Sequence, residues 1–262
     1  MISGFVLDGL RHLKINRGKE EISGNRSRRA LFFPLYHADK LEFIGPVFAE
    51  TTIHIGRRIF TLNKENAEYT VPNYQWSGIL KKRSKRAIFR KKPDFSGFRY
   101  LYPAFRVVAS KDITFMWMNT AQQNEPTLII NKKKFSNELI KKVRTEPGFA
   151  IYSAKVSLTD LDFKENGKVQ WQINEYYPLT FEVIETEQWE KTWKITFTDL
   201  QKLTGENYLL QLNELYNNSF FFLVRKSLLE KSKQSGNELF VILLERIEQQ
   251  VKVPFSLVEE IK

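Results

Sequence analysis

The sequence predicts a protein of the α+β class, built mostly on antiparallel sheet with a few packed helices. Many short segments alternate apolar and polar residues with a period of two, and a few carry apolar residues at helical spacing. The two kinds of segment do not alternate regularly, as they would in a doubly wound parallel sheet. The 262 residues, 42% of them hydrophobic, suffice to bury a core as one large domain or two small ones.

The first half of the chain predicts a polar lead-in followed by short strands. Residues 11–29 are basic and interrupted by Gly18 and Gly24, which predicts a loop. Apolar and β-branched residues from 41 to 62 predict strands on both sides of Gly45–Pro46. Further short strands are predicted at 104–108, 113–118 and 127–131, and a helix at 76–89 that ends before Pro93.

The first half ends with a helix signal, and the second half begins with a hairpin signal. Ser136 is a suitable N-cap for a helix that Pro147–Gly148 would end. Asn166–Gly167 lies between the strand-like segments 149–158 and 168–176, and both turn residues tolerate a positive φ, so we expect a hairpin. The other predictions are a strand at 193–197, a helical stretch capped by Thr198, a helix at 206–217, a buried strand at 220–224, and an apolar segment at 239–247 that fits a helix or a strand.

Positive charge is concentrated in the first half of the chain. Residues 1–144 hold 28 Lys and Arg against 12 Asp and Glu, whereas the remaining residues hold 13 against 18. This change, next to Pro147–Gly148, predicts a basic half at 1–146 and a mildly acidic half at 147–262, unless the two form one domain. A positive field of this kind attracts phosphate backbones or acidic membrane surfaces, and a uniform lysine bias would not leave the second half acidic.

A basic and aromatic segment lies within the positive half. Between residues 81 and 99, nine Lys and Arg accompany a single acid, Asp94. The aromatic residues within or beside this segment are Tyr74, Trp76, Phe89, Phe95, Phe98, Tyr100 and Tyr102. Lys and Arg neutralise phosphates, and exposed aromatic rings stack on unpaired bases, so the segment predicts a nucleic-acid surface. The alternative is a solvated helix whose aromatic residues face the core.

Signatures of catalysis and metal binding are weak. The sequence has no Cys, which excludes disulfides, thiolate metal sites and Cys nucleophiles, and it has no phosphate-binding glycine loop. None of its three His forms a metal-binding pair, and His37 with Asp39 supplies too few ligands for a metal site. Asp160, Asp162 and Lys164 match part of a metal-dependent nuclease core, without its upstream acid. We therefore expect no cofactor and no metal, and an enzyme is the less favoured interpretation.

No segment of the sequence predicts membrane insertion. Residues 1–10 have no basic residue before their apolar stretch and include Asp8, which is not the pattern of a signal peptide. The longest apolar runs are far shorter than the roughly 20 residues that cross a bilayer. We expect a cytoplasmic protein with no membrane partner, and the absence of Cys fits a reducing compartment.

Two short motifs lie between residues 41 and 86. Thr52–Ile53–His54–Ile55–Gly56 follows an apolar strand, and Pro72 precedes Ser77–Gly78 and a run of basic residues. This order resembles the RAMP superfamily, the RNA-binding proteins of CRISPR-associated complexes, which are built on ferredoxin-like folds. Thr52 stands where that family has Pro, and its glycine-rich C-terminal loop has no counterpart in this sequence.

The resemblance implies a ferredoxin-like arrangement and a location for RNA. The backbone around His54–Gly56 and the basic helix from Gly78 would hold RNA phosphates. His54 would be a contact residue or, less favoured, an acid in metal-free RNA cleavage. The resemblance and the charge together predict the following nucleic-acid-binding residues: His54, Arg57, Arg58, Tyr74, Trp76, Lys81, Lys82, Arg83, Lys85, Arg86, Arg90, Lys91 and Lys92.

The sequence thus favours a non-catalytic RNA-binding subunit of a larger ribonucleoprotein, with nucleic acid and other protein subunits as partners. The main alternative is a structural or assembly protein of a phage particle or a secretion machine, in which the aromatic side chains form subunit contacts. A metal-dependent nuclease that uses Asp160 and Asp162 is the third hypothesis.

Overall fold

The structure is a computed structural model that describes residues 2–23, 31–56, 58–74, 97–120, 126–146, 148–161, 167–235 and 238–251. Contacts divide the chain into two units. The first unit contains Met1–Arg83, Phe197–Asn218 and Lys226–Arg246, and the second contains Ser84–Thr196, Ser219–Arg225 and Ile247–Lys262. Each unit therefore combines segments that lie far apart in the sequence.

Two four-stranded sheets form the framework of the first unit. Its strands are β1 (Ile2–Asp8), β2 (Leu13–Arg17), β3 (Glu20–Ser23), β4 (Phe33–Tyr36), β5 (Lys40–Phe43), β6 (Thr51–Ile55), β7 (Arg58–Leu62) and β8 (Glu68–Thr70). The first sheet has the order β4–β1–β6–β7, and the second has the order β3–β2–β5–β8. Neighbouring strands in both sheets are antiparallel.

Apolar side chains from both sheets of the first unit meet in one core. The first sheet contributes Val6, Leu35, Ile53, Ile55 and Leu62, and the second contributes Leu13, Ile15, Leu41 and Phe43. Because side chains alternate along a strand, only one face of each strand can point into this core. In β1, however, every residue from Ile2 to Leu7 is buried. The other face of β1 must therefore be covered as well.

Helices from the C-terminal part of the chain supply that cover. The five α-helices among the described residues are α1 (Thr186–Trp193), α2 (Phe197–Lys202), α3 (Gly205–Asn217), α4 (Phe221–Ser235) and α5 (Glu238–Val251). The backbone N–H of Ile2 donates to Glu206 of α3 at 3.1 Å, and Arg246 of α5 lies 4.0 Å from Asp8. None of the described helices has the length and apolar character needed to span a membrane.

The second unit is built from two further sheets. Its strands are β9 (Arg99–Tyr102), β10 (Phe105–Ala109), β11 (Asp112–Thr120), β12 (Leu128–Ile130), β13 (Lys133–Lys134), β14 (Ile140–Glu146), β15 (Phe149–Ser157), β16 (Lys168–Ile173) and β17 (Leu179–Glu185). The third sheet has the order β14–β15–β11–β9, and the fourth has the order β10–β17–β16–β12–β13. The pair β10–β17 is parallel, and the other pairs among the described strands are antiparallel.

Aromatic residues fill the core between the third and fourth sheets. Phe115 of β11 lies 5.1 Å from Trp171 of β16 and 5.9 Å from Phe181 of β17, measured between ring centroids. The indole N–H of Trp171 donates to the carbonyl of Pro103 at 3.2 Å. This bond removes the cost of burying an unpaired donor, so the large ring can lie fully inside the core.

The predicted α+β class and the predominance of antiparallel sheet are confirmed. The predicted strands at 41–62, 104–108, 113–118, 127–131 and 149–158 overlap β5 to β7, β10, β11, β12 and β15, and the helices α3 and α5 cover 206–217 and 239–247. Every α-helix among the described residues follows the last strand. The described residues therefore do not display the alternating order of a ferredoxin-like fold. The predicted helix at 76–89 lies outside the described residues.

Two predictions in the first half are wrong: the loop at 11–29 and the helix that begins at Ser136. Residues 11–29 contain the hairpin β2–β3, whose turn uses Gly18 at a φ of 60°, so the glycine makes the hairpin instead of breaking it. Ser136 caps only the 3-10 turn Asn137–Leu139, accepting from the N–H of Glu138. The chain then continues as β14 and pairs with β15, because its apolar Ile140 packs into the core between the sheets.

Three predictions in the second half are also wrong. The strands on either side of Asn166–Gly167 do not pair with each other, since β15 belongs to the third sheet and β16 to the fourth. Residues 193–197 span the end of α1 and the start of α2. Residues 221–224 form the start of α4. Short apolar runs fit strand and helix equally well, and packing within the fold decides between them.

Candidate nucleic-acid interface

A groove on the first unit brings two of the predicted binding residues, Arg58 and Tyr74, together. It lies beside β7 and has a volume of about 720 Å³. Its lining residues are Ile55, Arg58, Ile59, Phe60, Tyr69, Pro72 and Tyr74. One cation and three aromatic rings thus line an otherwise apolar groove. We call this set the Arg58 groove.

Gly56 fixes the position of Tyr74 in the Arg58 groove. Ile55 pairs with Arg58 across the β6–β7 turn, and Gly56 in this turn has a φ of 59°. A Cβ atom at Gly56 would lie 2.6 Å from the Tyr74 ring, so the ring lies directly against the backbone of the turn. Glycine is the residue that combines a positive φ with such a close approach.

Phe60 and Tyr69 form the other aromatic part of the groove. Their ring centroids are 4.5 Å apart, with an angle of 48° between the ring planes. Tyr69 is held in place because it pairs with Leu41 of β5, and Val71 beyond it donates to the carbonyl of Asp39 at 2.9 Å. All three aromatic residues of the groove are half-buried, which leaves part of each ring accessible to a ligand.

Arg58 supplies the charge of the groove. It is exposed at the start of β7, the last strand of the first sheet, and the next residue, Ile59, is 49% exposed. Within the described ranges, no carboxylate lies at salt-bridge distance from Arg58. A guanidinium that is not neutralised by the protein can bind a phosphate through charge-assisted hydrogen bonds.

His54 does not lie in the groove. It is 3% exposed in β6, which pairs with β1 on one side and β7 on the other, and its ring centroid is 6.4 Å from that of Phe5. Burial lowers the pKa of His54 to about 4. A buried, neutral imidazole offers neither surface nor charge to a phosphate, so we remove His54 from the interface.

The remaining predicted contacts cannot be placed on this surface. Arg57, Trp76 and the cations from Lys81 to Lys92 lie outside the described residues. Phe60 and Tyr69 line the groove but were not among the predicted residues. Their signal in the sequence is weak, because a lone aromatic residue in a short strand is also typical of a core position.

Two of the acids considered for metal chemistry, Asp39 and Asp160, lie in different environments. Asp39 is bound by Arg17 at 2.7 Å and accepts from the N–H of Tyr36, which gives it a structural role. Asp160 is exposed at the end of a 3-10 turn, and Asp162 and Lys164 lie outside the described residues. Within the part of the chain that the structure describes, no group of three His, Cys, Asp or Glu side chains could hold a metal ion.

Comparisons with known proteins do not identify a family. No family model matches the chain, and no curated protein matches it. Among solved structures, the chain is similar to one described as "Titin Ig tandem domains A164-A165", with 14% identity and a TM-score of 0.20, over 67% of this chain and 83% of that chain. A TM-score of this size supports no conclusion about fold or function, so the function has to be inferred from the groove.

Proposed function

We propose that the protein is a non-catalytic RNA-binding subunit of a ribonucleoprotein, and that the Arg58 groove holds unpaired bases. The observation that carries this proposal is the convergence of Arg58 with Phe60, Tyr69 and Tyr74 in one groove. Aromatic faces stack on unpaired bases of any sequence, and a neighbouring cation binds the adjacent phosphate. The combination suits a single strand, because the bases of a duplex are already stacked on one another.

The sequence that follows the groove supports the same ligand. Tyr74 is followed by residues 81–92, which contain eight Lys and Arg and no acid. In the sequence, positive charge is therefore concentrated shortly after a residue that lines the groove. Each phosphate that such a segment neutralises releases counterions, which strengthens binding at low salt.

The resemblance to RAMP proteins favours RNA over DNA. Of the residues that carry the resemblance, Gly56 contacts the Tyr74 ring and Pro72 lines the groove. The resemblance implies that this region contacts RNA phosphates, and we extend this implication to the present protein. The proposed setting is a cytoplasmic ribonucleoprotein in which other protein subunits are also partners.

Two groove variants test the proposal. Tyr74→Leu removes a stacking face but keeps bulk over Gly56, and we expect RNA affinity to fall about tenfold, since stacking contributes about 1 to 3 kcal/mol per base. Arg58→Gln removes one phosphate contact and should reduce the slope of log affinity against log salt by about 0.7. Fluorescence anisotropy with a labelled oligouridylate measures both quantities. The control is Lys19→Gln, an equal charge change at the β2–β3 turn of the other sheet.

A third variant separates the groove from the basic segment. Replacing Lys81, Lys82, Arg83, Lys85 and Arg86 with Gln should weaken binding to every sequence and flatten its dependence on salt. Tyr74→Leu should instead weaken binding by a similar factor at all salt concentrations, because it removes a stacking face and no charge. Binding that is unchanged in the Tyr74→Leu and Arg58→Gln proteins would contradict the proposed role of the groove.

A structural or assembly role is the second candidate function, and one observation favours it. The loop between β5 and β6 exposes three apolar side chains, with Ile44 at 53%, Val47 at 71% and Phe48 at 90%. Exposed apolar residues in adjacent positions are typical of protein contacts. The occupant that fits them is an apolar recess on another protein subunit. This function is compatible with RNA binding elsewhere on the chain.

A further inference from the structure

Five exposed lysines lie on or next to two edge strands of the second unit. Lys132 is in the turn between β12 and β13, and Lys133 and Lys134 form β13. Lys141 and Lys142 lie in β14. All five side chains are exposed. We call this set the lysine edge.

The topology keeps the two parts of the lysine edge next to each other. β13 is the last strand of the fourth sheet and β14 is the last strand of the third, and residues 135–139 join them. Phe135 and Ile140, at the two ends of this connection, both pack into the core between the sheets. The lysines that flank these two anchors therefore lie on edge strands that a short connection joins.

Carboxylates of the described residues do not balance the charge of the lysine edge. Among the described residues, no ion pair joins any of the five lysines to a carboxylate. Elsewhere Lys14, Lys155 and Lys202 have such partners. From Lys132 to Lys142 the only acid in the sequence is Glu138. Clustered like charges repel each other and lower stability, and a bound polyanion would relieve that cost.

Protection of the sheet edges explains part of this pattern. Lysines on an edge strand prevent other strands from pairing with it. β14, however, already has an irregularity between Lys142 and Arg144, which interrupts its register with β15. β13 is only two residues long, which also limits pairing. Five lysines therefore exceed what edge protection requires, and a polyanionic ligand would explain the excess.

We propose that the lysine edge is a second binding surface, which contacts the sugar-phosphate backbone of the single-stranded RNA. This inference rests on the proposed function, because the ligand is the same RNA. Lysine ammonium groups bind phosphates as point charges without reading bases. The half-buried ring of Phe135 already contacts the Lys133 ammonium, whose nitrogen lies 5.3 Å from the ring centroid, so this ring is less available for base stacking. The surface contributes affinity and salt dependence, whereas base stacking takes place in the Arg58 groove.

A charge reversal tests this surface. Lys141→Glu with Lys142→Glu keeps the edge charged, so its protection against strand pairing is retained, while the attraction for phosphate is reversed. The matched control is Lys111→Glu with Lys191→Glu, two exposed lysines elsewhere in the second unit. With labelled oligouridylate of about 16 nucleotides, we expect the edge variant to bind at least about tenfold more weakly than the control and to lose about 1.4 from the salt slope.

The outcomes separate the inference from the proposed function. If the wild-type protein binds no oligouridylate, both are overturned. If the wild type binds, the Arg58 groove variants bind weakly and the edge variant matches its control, the inference alone is overturned. It is also overturned if the edge variant loses binding only to phosphatidylserine vesicles, since the surface would then serve a membrane.

A second experiment applies if the edge variant fails to fold. Acetylation of the unmodified protein is compared with and without oligouridylate, and the inference requires that oligouridylate protects Lys141 and Lys142 from acetylation.

Discussion

At the scale of single residues, Arg17 and Asp39 join the two sheets of the first unit. Arg17 lies in β2 of the second sheet, and its guanidinium donates to both oxygens of Asp39 and, at 3.0 Å, to the carbonyl of Pro34 in β4 of the first sheet. It also lies 4.3 Å from the ring centroid of Tyr36. Asp39 is only 1% exposed, and a buried carboxylate requires this degree of pairing. Asp39 is therefore committed to the fold and is not available for chemistry.

His54 makes the stability of the protein depend on pH. Its pKa is about 4 in the folded protein because of burial, compared with 6.5 for the ordinary side chain. The unfolded chain therefore binds a proton at a higher pH than the folded chain does. The stabilisation is complete above pH 6.5 and is lost as the pH falls toward 4, with a total loss of about 3 kcal/mol.

The variant His54→Gln tests this linkage. Glutamine stays neutral at every pH, so we expect the free energy of unfolding of the variant to change less between pH 6.5 and 4 than that of the wild type, by about 3 kcal/mol. Urea denaturation at several pH values measures both proteins. Acidic groups contribute to the slope in each, and the difference between the two slopes isolates the histidine. Parallel slopes would show that His54 titrates in the folded state as it does in the unfolded chain.

At the scale of elements, local signals predict how a segment begins better than how it continues. Ser136 caps a helical turn as predicted, yet the chain leaves the helix after Leu139. The reason lies in partners far along the sequence: Ile140 pairs with Ala154, and Lys141 with Ser153, in β15. A cap satisfies only the first N–H groups of a helix, whereas pairing with β15 supplies backbone hydrogen bonds along the segment from Ile140 to Glu146.

Helix α3 shows the opposite case, in which the sequence is sufficient. Its buried residues Tyr208, Leu209, Leu212, Leu215 and Tyr216 recur at helical spacing, and this pattern is visible without the structure. The run from Phe220 to Val224 has no such pattern, because all five of its positions are apolar. Periodicity identifies an element only when polar residues mark its exposed side.

The loop between β5 and β6 carries a prediction for the assembly role. The N–H of Ala49 donates to the carbonyl of Pro46 at 2.9 Å, which places Val47 and Phe48 at the corners of a tight turn. Turn corners favour Gly, Asn and Asp, so two apolar residues there are unusual. If they contact another subunit, Val47→Ser with Phe48→Ser should abolish assembly without lowering thermal stability, since both side chains are already exposed.

Size-exclusion chromatography with absorbance at two wavelengths measures the effect of the turn variant. The control is Tyr177→Ser, which removes a similarly exposed aromatic residue, 93% exposed, from the second unit. A wild-type protein that elutes as a monomer free of other subunits, with an elution volume that the turn variant does not change, would contradict the assembly role. Co-purifying nucleic acid that persists in the variant would show that RNA binding and assembly use separate surfaces.

At the scale of the whole molecule, the sequence predicts the ligand-binding chemistry better than its location. Arg58 and Tyr74 were predicted from charge and aromatic content, and they do meet in one groove. Phe60 and Tyr69 were not predicted, because their position depends on β7 and β8 belonging to different sheets. The five lysines of the lysine edge entered the sequence prediction only through the positive charge of the basic half. They come together because a short connection joins two edge strands, which no local pattern in the sequence specifies.

The distribution of charge and the distribution of contacts divide the chain differently. Charge changes sign near residue 146, within the second unit, whereas the first unit uses residues from both ends of the chain. A fragment 1–146 would retain β1 but lose α3 and α5, whose Glu206 and Arg246 contact it. It would also lose β15, which pairs with β11 along the full length of that strand, from Asp112 to Thr120.

We therefore expect neither 1–146 nor 147–262 to fold alone. Fragment 1–146 would expose the apolar faces of β1 and β11 and the unpaired edge of β11, a combination that favours aggregation. Fragment 147–262 would hold β15 without β11 and α3 without β1. Thermal melts followed by circular dichroism should show a cooperative transition for the whole chain and for the two fragments co-expressed, because their association restores the contacts of both units. A cooperative melt of fragment 1–146 by itself would instead show that the change in charge marks a true domain boundary.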